Sequence, residues 1–235
     1  MNHYNYMVRI KSKKFQEGLA KIDEKKRYPA AEAIALIKSI AFEKFDASLE
    51  VHIRTGVDAR KGDQLVRASV ILPHGTGKTM RVAVFAEGEK LTEAKAAGAD
   101  VAGDKDLIEE IKKTGKADFD VAIATPDMMK NMAVIAKVLG PRGLMPNPKN
   151  DTVTNNIKQA VENAKKGKVD FRNDSSANIH QAVGKLSFTD EQLLENYKTF
   201  IDSVKRARPS TAKGTFFKNI TMSSTMGPAV MIVID

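Results

Sequence analysis

Leu139-Gly140-Pro141-Arg142-Gly143-Leu144-Met145-Pro146-Asn147-Pro148-Lys149 holds three prolines and two glycines within one short run. Proline fixes φ and removes a donor, while glycine opens conformations closed to other residues. The run is therefore a shaped, non-repetitive loop and neither helix nor strand. A second Pro/Gly-rich stretch, Pro73-His74-Gly75-Thr76-Gly77-Lys78-Thr79, lies upstream. The charge changes around this pair. Residues 73–152 carry 12 Lys/Arg and 12 Asp/Glu, whereas residues 1–72 carry 14 against 9 and residues 153–235 carry 12 against 8. A neutral middle between two basic flanks reads as an insertion. Domain I is expected from residues 1–72 plus 153–235, and domain II from residues 73–152. Exposed hinges tolerate such insertions. Pro73, Gly75 and Gly77 then mark the outgoing hinge, and Gly140, Pro141 and Gly143 the return.

Within the insert, strand and helix alternate. Strands are expected at 80–85 and 120–124, and helices at 89–97, 106–113 and 126–139. This is a small Rossmann-like layer, a parallel sheet between helices. The overall class is α/β: an α+β domain I, discontinuous in sequence, carrying an inserted three-layer α/β domain II. No nucleotide site is assigned to it. A phosphate-binding loop ending in Gly77-Lys78-Thr79 needs a glycine at 72, which is Leu72, and a helix afterwards, where Arg81 to Phe85 reads as strand. The first strand-to-helix turn, Ala86-Glu87-Gly88-Glu89-Lys90, lacks the dinucleotide glycine pattern. No cofactor is expected.

The flanks rebuild one basic domain. Lys11, Lys13, Lys14, Lys25, Lys26 and Arg27 lie in a polar lead segment that reads either as a solvated tail or as a phosphate-contacting arm. Pro29 opens a helix over 30–42 with Ala33, Ile34 and Ile37 on one face. Residues 48–55 alternate apolar and polar as a half-buried strand, and 65–72 form a second strand expected beside it. Further helices are expected at 155–165 and from the Thr189 capping box to Ala207, and strands at 169–174, 179–188, 216–222 and 229–233.

Ser223-Ser224-Thr225-Met226-Gly227-Pro228 joins the last two strands. It reads as a tight turn or as a contact surface, in which Gly227 admits a close approach, Met226 offers an adaptable apolar surface and Thr225 a hydroxyl. Phe45, between Lys44 and Asp46 at a helix end, reads either as core or as an exposed ring able to stack on a base. The local sequence leaves both open.

The chain has 235 residues, 42% of them apolar, enough for a substantial core. Its net charge of +9 and pI near 9.5 point to a polyanionic partner. The absence of cysteine excludes disulfide and thiolate chemistry and suits a reducing cytoplasm. No apolar run approaches membrane-spanning length and Met1 to Tyr6 has no signal-peptide core, so a cytoplasmic protein is expected. His3, His52, His74 and His180 fall in different segments without metal-ligand spacing, and His52 and His180 read as surface or locally bonded. No nucleophile arrangement stands out. The chain reads as a non-enzyme.

Lys44-Phe45-Asp46, Glu50-Val51-His52, Leu72 to Lys78, Ala124-Thr125-Pro126-Asp127, Leu139 to Lys149, Phe171-Arg172-Asn173-Asp174 and Thr225-Met226-Gly227-Pro228 occur in this order. Together they resemble the ribosomal protein L-one family, bacterial type, over nearly the whole chain. The resemblance implies a large-subunit ribosomal protein at the mobile stalk beside the tRNA exit site, with domain I holding the rRNA site. It implies help in releasing deacylated exit-site tRNA and, in many members, repression of the own-operon mRNA through an element that mimics rRNA. A free monomer is expected. Carried onto this sequence, RNA contacts fall on Lys44, Phe45, Ser48, Thr225, Met226 and Gly227. Arg172 is placed by its motif and charge, and Lys168 and Asn219 are weaker; Asn219 stands where the family has serine or lysine. A non-ribosomal RNA-binding protein of the same fold is the alternative. A nucleotide-binding enzyme using Thr76 to Thr79 is a further one, disfavoured by the spacing above.

Overall fold

A computed structural model describes residues 12–23 and 25–234. Lys11 and the segment before it, with His3, lie outside the described residues. Three sheets organise the rest. The largest has the order β7-β1-β8-β9, built from β1 (Ser48–Thr55), β7 (Asn178–Lys185), β8 (Phe217–Ser224) and β9 (Val230–Met231), with every pairing antiparallel. Leu49, Val51 and Ile53 point inward from β1 and are fully buried, as the period-two pattern requires. Helices α2 (Ala30–Ile40) and α8 (Asp190–Arg206) cover that inner face. Ile34 and Ile37 of α2 meet Leu193, Phe200 and Val204 of α8 in one core. The Thr189 capping box is present, with Thr189 accepting from the Gln192 backbone.

The strand expected beside β1 pairs elsewhere. β2 (Arg67–Ile71) forms an antiparallel ribbon with β6 (Lys168–Arg172), while both edges of β1 are taken by β7 and β8. Local alternation fixes which face of a strand is buried but carries no information on its neighbour. Phe171 of β6 stacks edge-on against Phe200 of α8, which fastens this ribbon to the same core.

The middle of the chain forms the expected parallel layer. β3 (Val82–Phe85) lies between β4 (Val101–Gly103) and β5 (Val121–Ala124), both parallel to it. β4 was not expected, because three residues with two small side chains carry too little pattern to read. Two buried clusters flank the layer. One holds Ile108 and Ile111 of α4 (Lys105–Thr114) with Met128, Met132 and Leu139; the helix expected over 126–139 is divided into α5 (Met129–Met132), a tighter turn and α6 (Ala136–Leu139). The other holds Ala94 of α3 (Glu89–Ala96) with Ile157, Val161 and Ala164 of α7 (Ile157–Lys165).

That second cluster moves two expectations. α7 was assigned with residues 153–235 to domain I, yet its apolar face lies on the parallel sheet. Likewise the loop from Leu139 to Lys149, read as the return hinge, starts on α6 and leads straight back to this layer. Ala124 donates to the Thr152 carbonyl and Thr154 to the Ala124 carbonyl, so residues 152–154 extend the edge beside β5. Gly140, Pro141 and Gly143 thus lie exposed in a connection between two elements of the layer. The chain instead passes back at Lys166–Gly167, where Leu72 N–H donates to the Gly167 carbonyl at 3.3 Å. Prolines and glycines mark an irregular loop wherever it lies, and only side-chain packing shows which core owns it.

At the crossing, two glycines touch backbone to backbone. A Cβ on Gly167, whose φ is +95°, would sit 2.4 Å from the Gly75 Cα. Gly115, the left-handed residue that closes α4, also has positive φ, at +64°, but open space around it. Gly115→Ala is expected to cost about 1 kcal/mol, the conformational strain alone. Gly167→Ala adds the clash and should cost roughly 2–4 kcal/mol by urea denaturation; equal losses would show that the glycine contact is not tight.

Candidate nucleic-acid interface

The connection from α2 into β1 and the turn from β8 into β9 meet at one corner. They meet because β1 and β8 are paired, with Leu49 opposite Ser224 and Glu50 opposite Ser223. β8 runs on through Ser224, so the turn proper begins at Thr225. From there hydrogen bonds bind the two segments. Ser48 N–H donates to Thr225 Oγ1 at 2.9 Å, and the same hydroxyl donates to the Ser48 carbonyl at 3.4 Å. Glu43 Oε1 accepts from Ser224 Oγ at 2.5 Å and from Met226 N–H at 3.2 Å. Glu43 Oε2 accepts from Phe42 N–H at 2.9 Å. A neighbouring strand completes the frame: Asp46 accepts from both the backbone and the hydroxyl of Ser187, and Lys185 Nζ donates to Ser48 Oγ at 3.0 Å and to the Asp46 carbonyl at 3.2 Å.

This frame fixes what it leaves outside. Phe45 is 55% exposed and Met226 58% exposed, among the most exposed large apolar side chains described. Lys44 and Thr225 are exposed beside them. The exposed-ring reading of Phe45 is therefore the one realised. A Cβ on Gly227 would lie 2.3 Å from Ser224 Oγ, so glycine is needed for Ser224 to keep its bond to Glu43. From the other side α1 (Lys13–Ala20) leans on the turn, Gly18 facing Pro228.

The corner gathers Lys44, Phe45, Ser48, Thr225, Met226 and Gly227. It does not gather the others. Arg172 and Lys168 lie on β6 in the separate ribbon, where Lys168 Nζ donates to the Asn150 carbonyl at 2.6 Å and reaches Asp151 at 3.4 Å. Asn219 lies down β8 opposite Arg54, with its Oδ1 buried and without a hydrogen-bond partner. Glu43, Asp46 and Lys185 are the residues that sequence reading missed as organisers. Glu43 stands two positions before Phe45, but a carboxylate at a helix end reads as solvated unless its partner, 181 residues away, is known.

Burial penalises the Glu43 carboxylate, but the hydrogen bonds from Ser224 and from the Met226 and Phe42 backbone outweigh it and hold its pKa below the ordinary 4.5. On the sheet's outer face, His52 has its pKa lowered by burial and by the neighbouring His180, against the pull of Glu50. Among the described residues no group of three or more His, Asp or Glu is placed to hold a metal ion, and no helix is long and apolar enough to cross a membrane. Pro73 to Thr79 leads into strand β3. A rigid corner displaying an aromatic ring, a thioether, a hydroxyl and a cation suits ring stacking and ribose contact, with the charge left for phosphates.

The sequence profile of the Ribosomal protein L1p/L10e family matches residues 37–228, from the end of α2 through the last residue of the corner turn. The chain belongs to that family. The Large ribosomal subunit protein uL1 of Corynebacterium efficiens is 56% identical over 221 residues, covering 94% of this chain and 93% of its own length. The chain is accordingly a ribosomal protein and not an enzyme.

Because its folded pKa is depressed, Glu43 stabilises the fold above the unfolded value of about 4.5, and this contribution is lost as pH falls through the folded pKa. Glu43→Gln should lower stability by about 1–2 kcal/mol at pH 7, with the gap to wild type closing on acidification. Thermal unfolding at pH 7 and pH 3.5 checks this; a gap that does not change with pH would rule out the carboxylate as the source.

Proposed function

We propose that this protein is a structural constituent of the large subunit of the cytoplasmic ribosome that binds large-subunit (23S) rRNA through the Phe45–Met226 corner. The family supports the large-subunit assignment, and the relative's own name is that of a large-subunit protein. The single observation that carries the RNA reading is the exposure of Phe45 and Met226 on a backbone pinned by Glu43, Asp46 and Thr225. An aromatic ring and a thioether gathered outward on one pinned corner are available to a partner without rearrangement. In the site so read, the Phe45 ring stacks on a base, Met226 and Gly227 lie against ribose, and Thr225 and Ser48 supply hydroxyl chemistry. Lys44 neutralises phosphate, with Arg172, Lys168 and Asn219 as more distant contributors. The same corner would bind an own-operon mRNA element of the same shape and repress its translation.

The reading extends to a two-domain mechanism. Domain I, the four-stranded sheet with its helices and the β2–β6 ribbon, stays on rRNA while the inserted layer moves about two adjacent crossings. Pro73, Gly75 and Gly77 form one crossing and Gly167 the other. Asn196 of α8 is buried and accepts from His74 N–H while donating to the Gly75 carbonyl at 2.9 Å, which anchors the domain I side of the first crossing. Such motion suits a stalk that opens as deacylated tRNA leaves the exit site. The free protein is read as a monomer.

Affinity for a large-subunit rRNA stalk fragment at moderate, fixed salt tests the site. Phe45→Ala and Met226→Ala should each weaken binding by about 1–3 kcal/mol, and Thr225→Ala by about 1 kcal/mol or more, with Thr225→Ser closer to wild type. Variants that fold and bind like wild type would sink the corner as the RNA site. For the hinge, small-angle scattering should give a different radius of gyration for the protein portion in the free and RNA-bound states. One closed shape in both would count against domain motion.

A further inference from the structure

On the outer face of the four-stranded sheet, next to the corner, two imidazoles oppose each other. His52 of β1 and His180 of β7 are directly cross-strand, and their Nδ1 atoms lie 2.9 Å apart. That distance requires one Nδ1 to carry a proton and the other a lone pair; two lone pairs or two N–H groups do not fit. The remaining nitrogens have their own partners. His52 Nε2 lies 3.2 Å from Ser223 Oγ and 3.9 Å from Glu50 Oε2. His180 Nε2 faces Asp174 Oδ2 at 3.6 Å from the turn between β6 and β7. Arg54 follows two residues along β1 on the same face, Thr221 is the β8 residue opposite His52, and Arg67, Asp170 and Arg172 of the β2–β6 ribbon line one cavity with Asp174 and His180.

The arrangement accepts one additional proton without breaking. With His180 donating through Nδ1, its Nε2 takes the proton and turns the facing Asp174 into an ion-pair partner. A second proton, on His52 Nδ1, would destroy the contact. The His52 ring is also the less exposed of the two, its side chain at 30% against 54% for His180. His180, the more exposed ring and the one facing Asp174, is thus the one placed to accept that proton, with His52 beside it.

The pair is continuous with the corner. Ser48, Glu50 and His52 project from the same face of β1, about 13 Å from end to end at strand rise. Ser223, which touches His52, is followed directly by Ser224, which holds Glu43. While the imidazoles are neutral, the carboxylates of Glu50 and Asp174 offset the cations of Arg54 and Lys185 along this strip, which leaves no excess positive charge for a polyanion. One proton supplies it.

We propose that the His52–His180 pair extends the RNA-contacting face along the sheet and takes up one proton when RNA binds. The proposal rests on the corner being the RNA site. The sign follows from linkage: the RNA field favours the protonated form, so binding carries a proton in and affinity rises as pH falls through the imidazole range.

The test uses the whole protein and the same rRNA stalk fragment, at constant ionic strength, from pH 8 to pH 6. Wild type should bind about tenfold more tightly at the lower end, since one coupled proton gives at most tenfold per pH unit. Titration calorimetry near pH 6.5 in two buffers of different ionisation enthalpy should report close to one proton taken up. His180→Gln should abolish both the slope and the uptake, and His52→Gln, which removes its partner, should reduce them. His74→Gln, at the hydrogen bond with Glu195 on the first crossing, should leave the slope in place. A flat wild-type profile, or a slope that survives in His180→Gln, overturns the proposal. Wild type that fails to bind at every pH overturns the RNA reading itself, a result distinct from binding that ignores pH.

Discussion

The pairing of β1 on both of its edges is the constraint from which the rest of this structure follows. Its partners, β7 and β8, come from the last third of the chain, more than a hundred residues away. Bringing them together costs loop-closure entropy, although that cost grows only slowly with length. What repays it is burial: Leu49, Val51 and Ile53 have no exposure once α2 and α8 close over them. With β1 so clasped, whatever lies between its partners in sequence must leave and return as a unit. The parallel layer is that excursion.

The two crossings show how little holds the excursion to its base. Gly75 and Gly167 meet without side chains, and the adjoining contacts are polar: Asn196 to the His74–Gly75 backbone, and Asn150 between Arg67 and Asp170. Burial raises the Asp170 pKa in spite of the Asn150 hydrogen bond and the nearby Lys168 and Arg67. A junction of bare backbone and hydrogen bonds offers few interlocking side chains to oppose the domain motion proposed above. Cores resist such motion because many side chains interlock, whereas the close contact here is between two bare backbones.

How far the sequence discloses these features depends on the range of the interaction that carries each. α2 and α8 were legible because a helix announces itself through near neighbours: Pro29 at the start of one, Thr189 and Gln192 at the start of the other. The parallel layer was legible from alternation and from its neutral charge. Strand partners were not, since Ser48 to Thr55 and Leu65 to Leu72 look equally able to pair with each other. Nor was the true return crossing, because Gly167 is one glycine after a helix, whereas Leu139 to Lys149 is conspicuous. At the site, family motifs located Phe45, Thr225 and Met226, but Glu43 and Asp46 act through partners on β8 and after β7 that no local pattern predicts.

Those hidden partners explain why the corner can display apolar groups at all. An exposed phenylalanine on a flexible loop would fold back onto the nearest apolar surface and lose its availability. Here the backbone on either side of Phe45 is tied down, by Glu43 to Ser224 and Met226 before it and by Asp46 to Ser187 after it. The turn carrying Met226 is fixed by the same carboxylate and by the exchange between Thr225 and Ser48. The conformational entropy of the loop is therefore spent when the protein folds, and a ligand that docks there does not have to order it. Glu43 is the economical element of this design, since one carboxylate orders both halves of the surface and belongs to neither exposed tip.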